Sequence, residues 1–342
     1  MHQLQKQPNR WDMRHLNAIC DGIILKNRIE KLTSFTETQD LRFTQRLSYH
    51  MYTIWLFTYS DLKTIVAPKT AFGILSALSG PALTTNSSPN ILSIWRRIFI
   101  VAFWTWINLL PFNIDNQRQP KAIQEDSVNK SWRPLPSKRL NGAQARSLML
   151  TIYPLALISS LYIGGTMQCI VLMILGYWYN DHAGADRSCI VRNFINACGF
   201  LCYTSGTLEI ASGPATILSK PVAYQWLLTI GAVVFTTIHS QDLYDQAGDS
   251  LRERWTVPLV IGDSAARWTV AVPIAFWSCF CPIFWRVGFG PQMVTISLGA
   301  GIIYRVLWKR SVRDDKRTFR FYNAWIVALY LLPLISILGR SR

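Results

Sequence analysis

Apolar residues gather into long runs along the chain, at about 62–82, 91–111, 144–163, 166–179, 190–211, 222–239, 266–285, 289–307 and 321–338. Runs near 20 residues match the length of a bilayer-crossing helix, and a helix satisfies its own backbone groups in lipid. The pattern predicts an all-α integral membrane bundle of about nine transmembrane helices, with the run at 166–179 the shortest. Residues 1–60 read as a cytosolic polar arm with helical character around 15–31. The arm ends in an interfacial helix, because the apolar stretch at 50–59 is too short to cross. Residues 61–342 then form the transmembrane domain. Residues 1–48 carry no cleavable signal pattern, so the first span is expected to insert itself.

Composition supports this class: half of the residues are apolar, only 16% are charged, and 14 Trp, 13 Tyr and 16 Phe are present. The net charge of +16 raises nucleic acid as a partner, but its distribution argues against that. Basic residues fall in alternate connections. They include Lys26, Arg28 and Lys31 in the arm, Arg118, Lys121 and Arg139 at 112–146, and Lys309, Arg310 and Arg313 at 309–320. The connections between, at 83–90, 164–165 and 212–221, hold only Lys220. The positive-inside rule therefore places the N-terminus and the charged loops in the cytosol and the C-terminus across the membrane. A basic face also suits the anionic headgroups of a lipid bilayer. The seven cysteines lack paired zinc-site spacing and read as packing residues.

The candidate chemistry lies at the ends of two apolar runs. In the segment 241–249, Asp242, Asp245 and Asp249 stand at i, i+3 and i+7, the spacing of one helix face. Converging carboxylates repel one another and call for divalent cations, and Mg²⁺ takes oxygen ligands while bridging carboxylates to phosphates. The plainer alternative is a solvated helix end whose acids pair with Arg252 and Arg254. The second segment contains Asn113, Asn116, Glu125, Asp126, Lys130 and Arg133, so oxygen ligands are followed by cations. Alone it also reads as a polar linker. Together, the two segments can hold metal ions around a diphosphate leaving group, with Lys130, Arg133, Arg252 and Arg254 binding its oxygens. The allylic cation so formed is stabilised by aromatic faces, for which Trp104, Trp106 and Tyr203 are candidates.

The pairing of a D-x-x-N-K-x-x-R-P stretch, Asp126 to Pro134, with a later D-x-x-D-x-x-x-D, Asp242 to Asp249, resembles the UbiA superfamily of intramembrane prenyltransferases. The likeness covers roughly residues 60–340. It implies a helical bundle, Mg²⁺ as cofactor, a prenyl diphosphate substrate and metal ligation by Asn113, Asn116, Glu125, Asp126, Asp242, Asp245 and Asp249. Asp126, Asp242, Asp245 and Asp249 would then be the catalytic carboxylates. The first motif departs from the usual form, because Asn116-Gln117 stands where acids are common and 118–124 is inserted; Glu125 is the candidate to substitute. In this departure it resembles a fungal branch that includes membrane-bound terpene cyclases.

Three functions compete on these residues. The branch-like motif favours a terpene cyclase, whose cation is captured within its own chain, in terpenoid biosynthesis at the endoplasmic reticulum membrane. A prenyltransferase would pass the prenyl group to an aromatic or other acceptor. A transporter would line a path across the bilayer with charge, whereas these acids cluster on one side. The loop 177–193 could close over the diphosphate or fix the reacting carbon, but reads rather as interfacial, with aromatic anchors, and His182 and His239 as structural residues. Glu209, inside an apolar run, is a functional candidate because an intramembrane carboxylate is costly. The glycosylation pattern at Asn86 to Ser88 lies too close to the membrane to be informative.

Overall fold

The computed structural model describes residues 43–86, 88–213 and 220–340. The expected helical character at 15–31 and Ser87 of the glycosylation pattern lie outside the described residues. The chain divides into two compact units, Met1–Ile54 and Trp55–Arg342. In the first unit, residues 43–54 are helical, as part of α1 (Phe43–Thr58). The helix expected at 50–59 thus begins earlier in the chain.

In the second unit a π-helical turn, Leu62–Val66, leads into α2 (Ala67–Leu78) and α3 (Gly80–Leu83). Then follow α4 (Ile91–Arg96), α5 (Ile98–Arg118), α6 (Pro120–Asn129), α7 (Gly142–Ile163), α8 (Thr166–Asn180), α9 (Gly184–Arg187) and α10 (Cys189–Ser212). The remainder comprises α11 (Pro221–Thr237), a 3₁₀ turn at Ile238–Gln241, α12 (Gln246–Leu251), α13 (Val257–Ile261), α14 (Asp263–Phe284), α15 (Phe289–Trp308) and α16 (Val312–Arg340). Among the described residues there is no strand. Five stretches are long and apolar enough to cross a membrane by length and composition: Ile91–Arg118, Gly142–Ile163, Pro221–Gln241, Asp263–Phe284 and Val312–Gly339.

Local signals set the helix ends that matter for the site. Gln119 leaves helical geometry at ψ 140° and Pro120 then opens α6, so the chain turns sharply after α5 without leaving an amide unpaired. The side chain of Ser188 caps α10 by accepting from the Val191 amide, which puts Arg192 in the first turns of that helix. Asn141 and Gln144 form a reciprocal capping box at the start of α7.

The core runs through the middle of the bundle, where α10 packs on α2, α8 and α11, and α16 on α2 and α15. Its largest fully buried side chains include Trp104, Trp226, Trp325, Tyr322, Tyr330 and Phe72. One buried ion pair fastens α14, α15 and α16 together. Arg267 forks onto Asp315 at 2.9 and 2.8 Å and also donates to the Val306 carbonyl at 2.8 Å. Such a pair is favourable only with its remaining hydrogen bonds satisfied, and a fourth bond, to Asp263 at 2.8 Å, helps meet that condition.

Candidate active site

The segment 241–249 is not one continuous helix. Asp242 follows the 3₁₀ turn, Asp245 sits at a turn before α12, and Asp249 lies within α12. The single-face expectation is therefore corrected: the i, i+3, i+7 spacing sends the three side chains into three surroundings. Asp242 is buried and bound by Arg192, with contacts of 2.8 and 3.4 Å. Asp249 is buried against Arg254 at 3.2 Å. Asp245 lines a cavity and meets Lys130 at 3.5 Å.

The stretch expected as a polar loop after α5 is instead helix α6 followed by a tight turn. Gly248 brings α12 onto α6 so closely that an added Cβ would overlap Asn129 Nδ2 and stand 2.9 Å from Glu125 Cγ. This contact joins the two acidic segments. Asp126 is held by Arg133 at 2.8 and 2.9 Å. Glu125 accepts from Arg252 at 3.2 Å and from Arg254 at 3.3 Å. Asn113 donates to Asp61 at 2.9 Å and to the Phe57 carbonyl at 3.2 Å, and Asn116 donates to Asn180 at 3.0 Å. With both amide nitrogens engaged, the carbonyl oxygens are their remaining ligand atoms.

Charge states follow these contacts. Burial opposes ionisation of Glu125, but Arg254, Arg252, Lys130 and Arg133 outweigh it and hold the carboxyl below its ordinary value. Asp126 is pushed up by burial despite Arg133 and Lys130. Burial pushes Asp249 up to about 7, with Asp242 and Glu125 adding to the shift and Arg192 and Arg254 opposing it. Among the described residues no three His, Cys, Asp or Glu side chains are gathered as a ready metal site. The reason is visible, because arginines hold Asp126, Asp242 and Asp249.

The cavity has a volume of about 520 Å³, within the usual range for small-molecule sites. Lys63, Lys130, Arg133, Arg192, Arg254, Lys316 and Arg320 line it, against only three acids, Asp61, Glu125 and Asp245. Beyond this charged region its wall is made by Leu109, Phe112, Leu172, Leu175, Ile195, Phe200 and Tyr203. Helix registers order the two regions. On α5 the lining passes from Asn116 and Asn113 to Phe112, Leu109 and Asn108, and on α10 from Arg192 to Ile195, Asn196, Gly199, Phe200 and Tyr203. A Cβ built on Gly199 meets no atom within 4 Å.

The donor set fits a divalent cation beside a phosphate. Asp245 Oδ1 and Asp249 Oδ2 are buried without a partner, and so are the donors Arg133 Nε and Arg254 Nη2. Unused carboxylate oxygens suit a cation, and unused guanidinium donors suit the anion that accompanies it.

Several residues at this site escaped the reading of the sequence. Asp61 and Asp186 are drawn in by tertiary contacts, whereas Tyr179, Asn180 and Arg192 belong to the loop 177–193, for which the interfacial reading is preferred over one at the diphosphate; Arg192 donates to the Tyr179 hydroxyl. The loop 177–193 is thus partly corrected. Tyr177 and Trp178 are exposed, as anchors would be, whereas Tyr179 and Arg192 face the cavity. In the same loop Asp186 accepts from Arg254 at 2.8 Å and from Arg252 at 3.4 Å. A lone acid at the head of an apolar run was the available signal for Asp61. Glu209 stands away from the cavity lining and pins the turn before α8, accepting from the Gly165 amide at 2.8 Å and from Gln168 at 3.1 Å. Of the aromatic candidates, Tyr203 lines the cavity, Trp106 donates instead to the Thr58 hydroxyl at 3.1 Å, and Trp104 lies buried beyond the lining. His239 is structural, between Asn193 at 3.2 Å and Thr269 at 3.0 Å.

Comparison with known proteins agrees with this geometry. The chain is 28% identical over 82% of its length to the fumagillin beta-trans-bergamotene synthase of Aspergillus fumigatus, covering 91% of that protein. It is 26% identical to a polyprenyl transferase of Hericium erinaceus over 82% of this chain and 92% of that one. A solved UbiA homologue from Archaeoglobus fulgidus, bound to DMAPP and Mg²⁺, superposes with a TM-score of 0.54 at 14% identity, covering 83% of this chain and 99% of that one. Residues 119–327 match the family model for UbiA prenyltransferases. With an all-helical bundle, two joined acidic segments and a cavity basic at one end and apolar beyond, the chain belongs to the UbiA prenyltransferase family and is an integral membrane enzyme of the prenyltransferase and terpene cyclase class.

Proposed function

We propose that the protein is a Mg²⁺-dependent terpene cyclase that ionises a prenyl diphosphate and closes the resulting cation on its own chain. The observation that carries this reading is the cavity itself, with seven cations against three acids in its lining and an apolar, aromatic wall beyond. A diphosphate head and a prenyl tail have that same polarity. Asp245 and Asp249, which keep an unpartnered oxygen, would hold the metal first, and Asp126, Asp242 and Glu125, with the carbonyl oxygens of Asn113 and Asn116, would join them as their arginines turn to the diphosphate. Bound there, Mg²⁺ would supply charge neutralisation to the departing diphosphate.

The protein's own residues do the rest. Lys130, Arg133 and Arg254 orient the diphosphate oxygens, with Arg252 acting behind them through Glu125. When the carbon–oxygen bond breaks, its electron pair leaves with the diphosphate. The faces of Phe112, Tyr179, Phe200 and Tyr203 then stabilise the allylic cation. Cyclisation ends when a double bond of the same chain captures the cation and a neighbouring carbon gives up a proton to the released diphosphate, leaving a new double bond. The similarity to a protein named as a bergamotene synthase supports cyclisation.

A second reading, transfer to an acceptor, rests on Asn196. Its Nδ2 lies buried without a partner on the tail wall, where it would anchor an acceptor oxygen. Another relative is named as a polyprenyl transferase. Purified protein with Mg²⁺ and farnesyl diphosphate alone should release a cyclic hydrocarbon, and Asp245→Asn should reduce this by at least about a hundredfold. Prenylation of an added phenol with no hydrocarbon would favour the second reading, and wild-type turnover by Asp245→Asn would overturn both.

We infer that nine spans cross the membrane: the five long apolar stretches and also 67–83, 166–180, 189–212 and 289–308. Residues 1–60 would then form a cytosolic arm and 61–342 the catalytic domain, in the endoplasmic reticulum membrane with both acidic segments cytosolic. The alternation of basic connections supports that orientation.

A further inference from the structure

The cavity lining stops short of the far end of three helices. On α5 its lining stops at Asn108, on α10 at Tyr203, and on α8 at Leu172. The next side chain inward on α5, one turn beyond Asn108, is Trp104. Its indole fills the space where these helices would otherwise leave a gap. A Cβ added at Gly165 would stand 2.7 Å from Trp104 Cζ2, and one added at Gly206 would overlap the ring's outer edge. The indole N–H donates to Ser160 Oγ at 2.9 Å, and the Tyr203 ring meets the indole edge-on at 6.2 Å. Trp104 is fully buried. Two glycines and a hydrogen bond thus hold a large flat side chain directly behind Tyr203, which lines the inner end of the cavity.

The depth above this ring can be measured along α5. From Asn116, at the charged end, to Asn108 is eight residues, about 12 Å of helix, and Trp104 lies about 6 Å farther. An extended carbon chain advances roughly 1.2 Å per bond, as an extended peptide does, so an isoprene unit of four bonds adds about 5 Å. Three units, about 14 Å, end just above the indole, and a fourth would run into it. Resting on the reading of the cavity as a prenyl diphosphate site, we propose that Trp104 is its floor, a specificity-determining residue that restricts the substrate to a fifteen-carbon chain. Removing the ring opens room of the size of one more isoprene unit between Gly165 and Gly206.

The test is a length series. Thiolodiphosphates of geranyl, farnesyl and geranylgeranyl chains, whose carbon–sulfur bond ionises slowly, are titrated with Mg²⁺ into wild type, Trp104→Phe and Trp104→Ala. Wild type should bind the fifteen-carbon analogue about tenfold more tightly than the twenty-carbon one. Trp104→Ala should lose that preference or invert it, and Trp104→Phe should fall between. Wild type binding both lengths equally would overturn the proposal without any variant. So would an unchanged ratio in a variant that melts as a folded protein. If no chain length binds to wild type, the prenyl diphosphate reading itself falls, an outcome distinct from binding without length preference.

Discussion

Lys69 has a phenol and an aromatic face as its neighbours. It is fully buried in α2, donates to Tyr330 Oη at 2.9 Å and lies 3.6 Å from the Phe200 ring centroid. Among the described residues it has no salt bridge. An amine with one acceptor is stabilised by that acceptor and destabilised by its own desolvation. Tyr330→Phe should therefore cost about 1–3 kcal/mol, because it strands the amine. Lys69→Met should be neutral or stabilising, and the double variant should recover most of the Tyr330→Phe loss. Thermal unfolding in detergent checks this, and a Tyr330→Phe variant as stable as wild type would remove the pairing. At this scale the sequence was most readable where chemistry is written in spacing. Asp242, Asp245 and Asp249 announce themselves by interval, and Lys130 and Arg133 by proximity. Arg192, Asp61 and Asp186 do not, because each acquires its role from a partner 50 or more residues away. Which aspartate faces the cavity was equally hidden, since arginines from other helices decide it.

Among elements, the close contact of α6 and α12 has the sharpest consequence. Gly248 lets the two acidic segments touch, and a methyl group there would overlap Asn129 and crowd Glu125. Gly248→Ala should lower turnover by about tenfold or more, as expected when reacting groups are displaced by a fraction of an ångström to an ångström. The melting temperature should stay near that of wild type, because α12 is a short helix at the end of the bundle. Unchanged steady-state turnover would show that the two segments need not meet so closely. Apolar runs made the long helices legible, and most of their ends fall within about three residues of the expected ranges, but α5 runs on past 111 to Arg118 and α16 begins at Val312 rather than at 321. The breaks were less legible. The backbone tightens into a 3₁₀ turn at Ile238–Gln241, and Pro120 begins a helix where polarity alone suggests a loop. Both depend on where neighbouring helices let the chain turn, which periodicity does not encode.

For the whole molecule, polarity along the cavity sets the expected orientation. A water-soluble diphosphate head must enter from an aqueous face, and the charged end of the cavity lies with α6 and α12. Reporters fused after Gln119 and after Gly248 should both read as cytosolic, and one at the C-terminus as luminal. Opposite sides for the two acidic segments would exclude a shared diphosphate site. A cytosolic C-terminus would instead leave the site intact and reduce the number of crossings to an even one.

The open space in front of Gly199 bears on how such enzymes diversify. The charged end of the cavity is a mesh of mutually dependent ion pairs, where a change at one residue strands another. The tail wall is under no such obligation. At Gly199 a methyl group can be added with no atom within 4 Å, and replacing a helical glycine with alanine gains about 0.5–1 kcal/mol. On the proposed cyclase reading, a mutation there would alter how the chain folds before the cation closes, and hence which skeleton is released, without disturbing the ion pairs of the charged end. New products are in this sense mutationally near at hand, while new ways of starting the reaction are not.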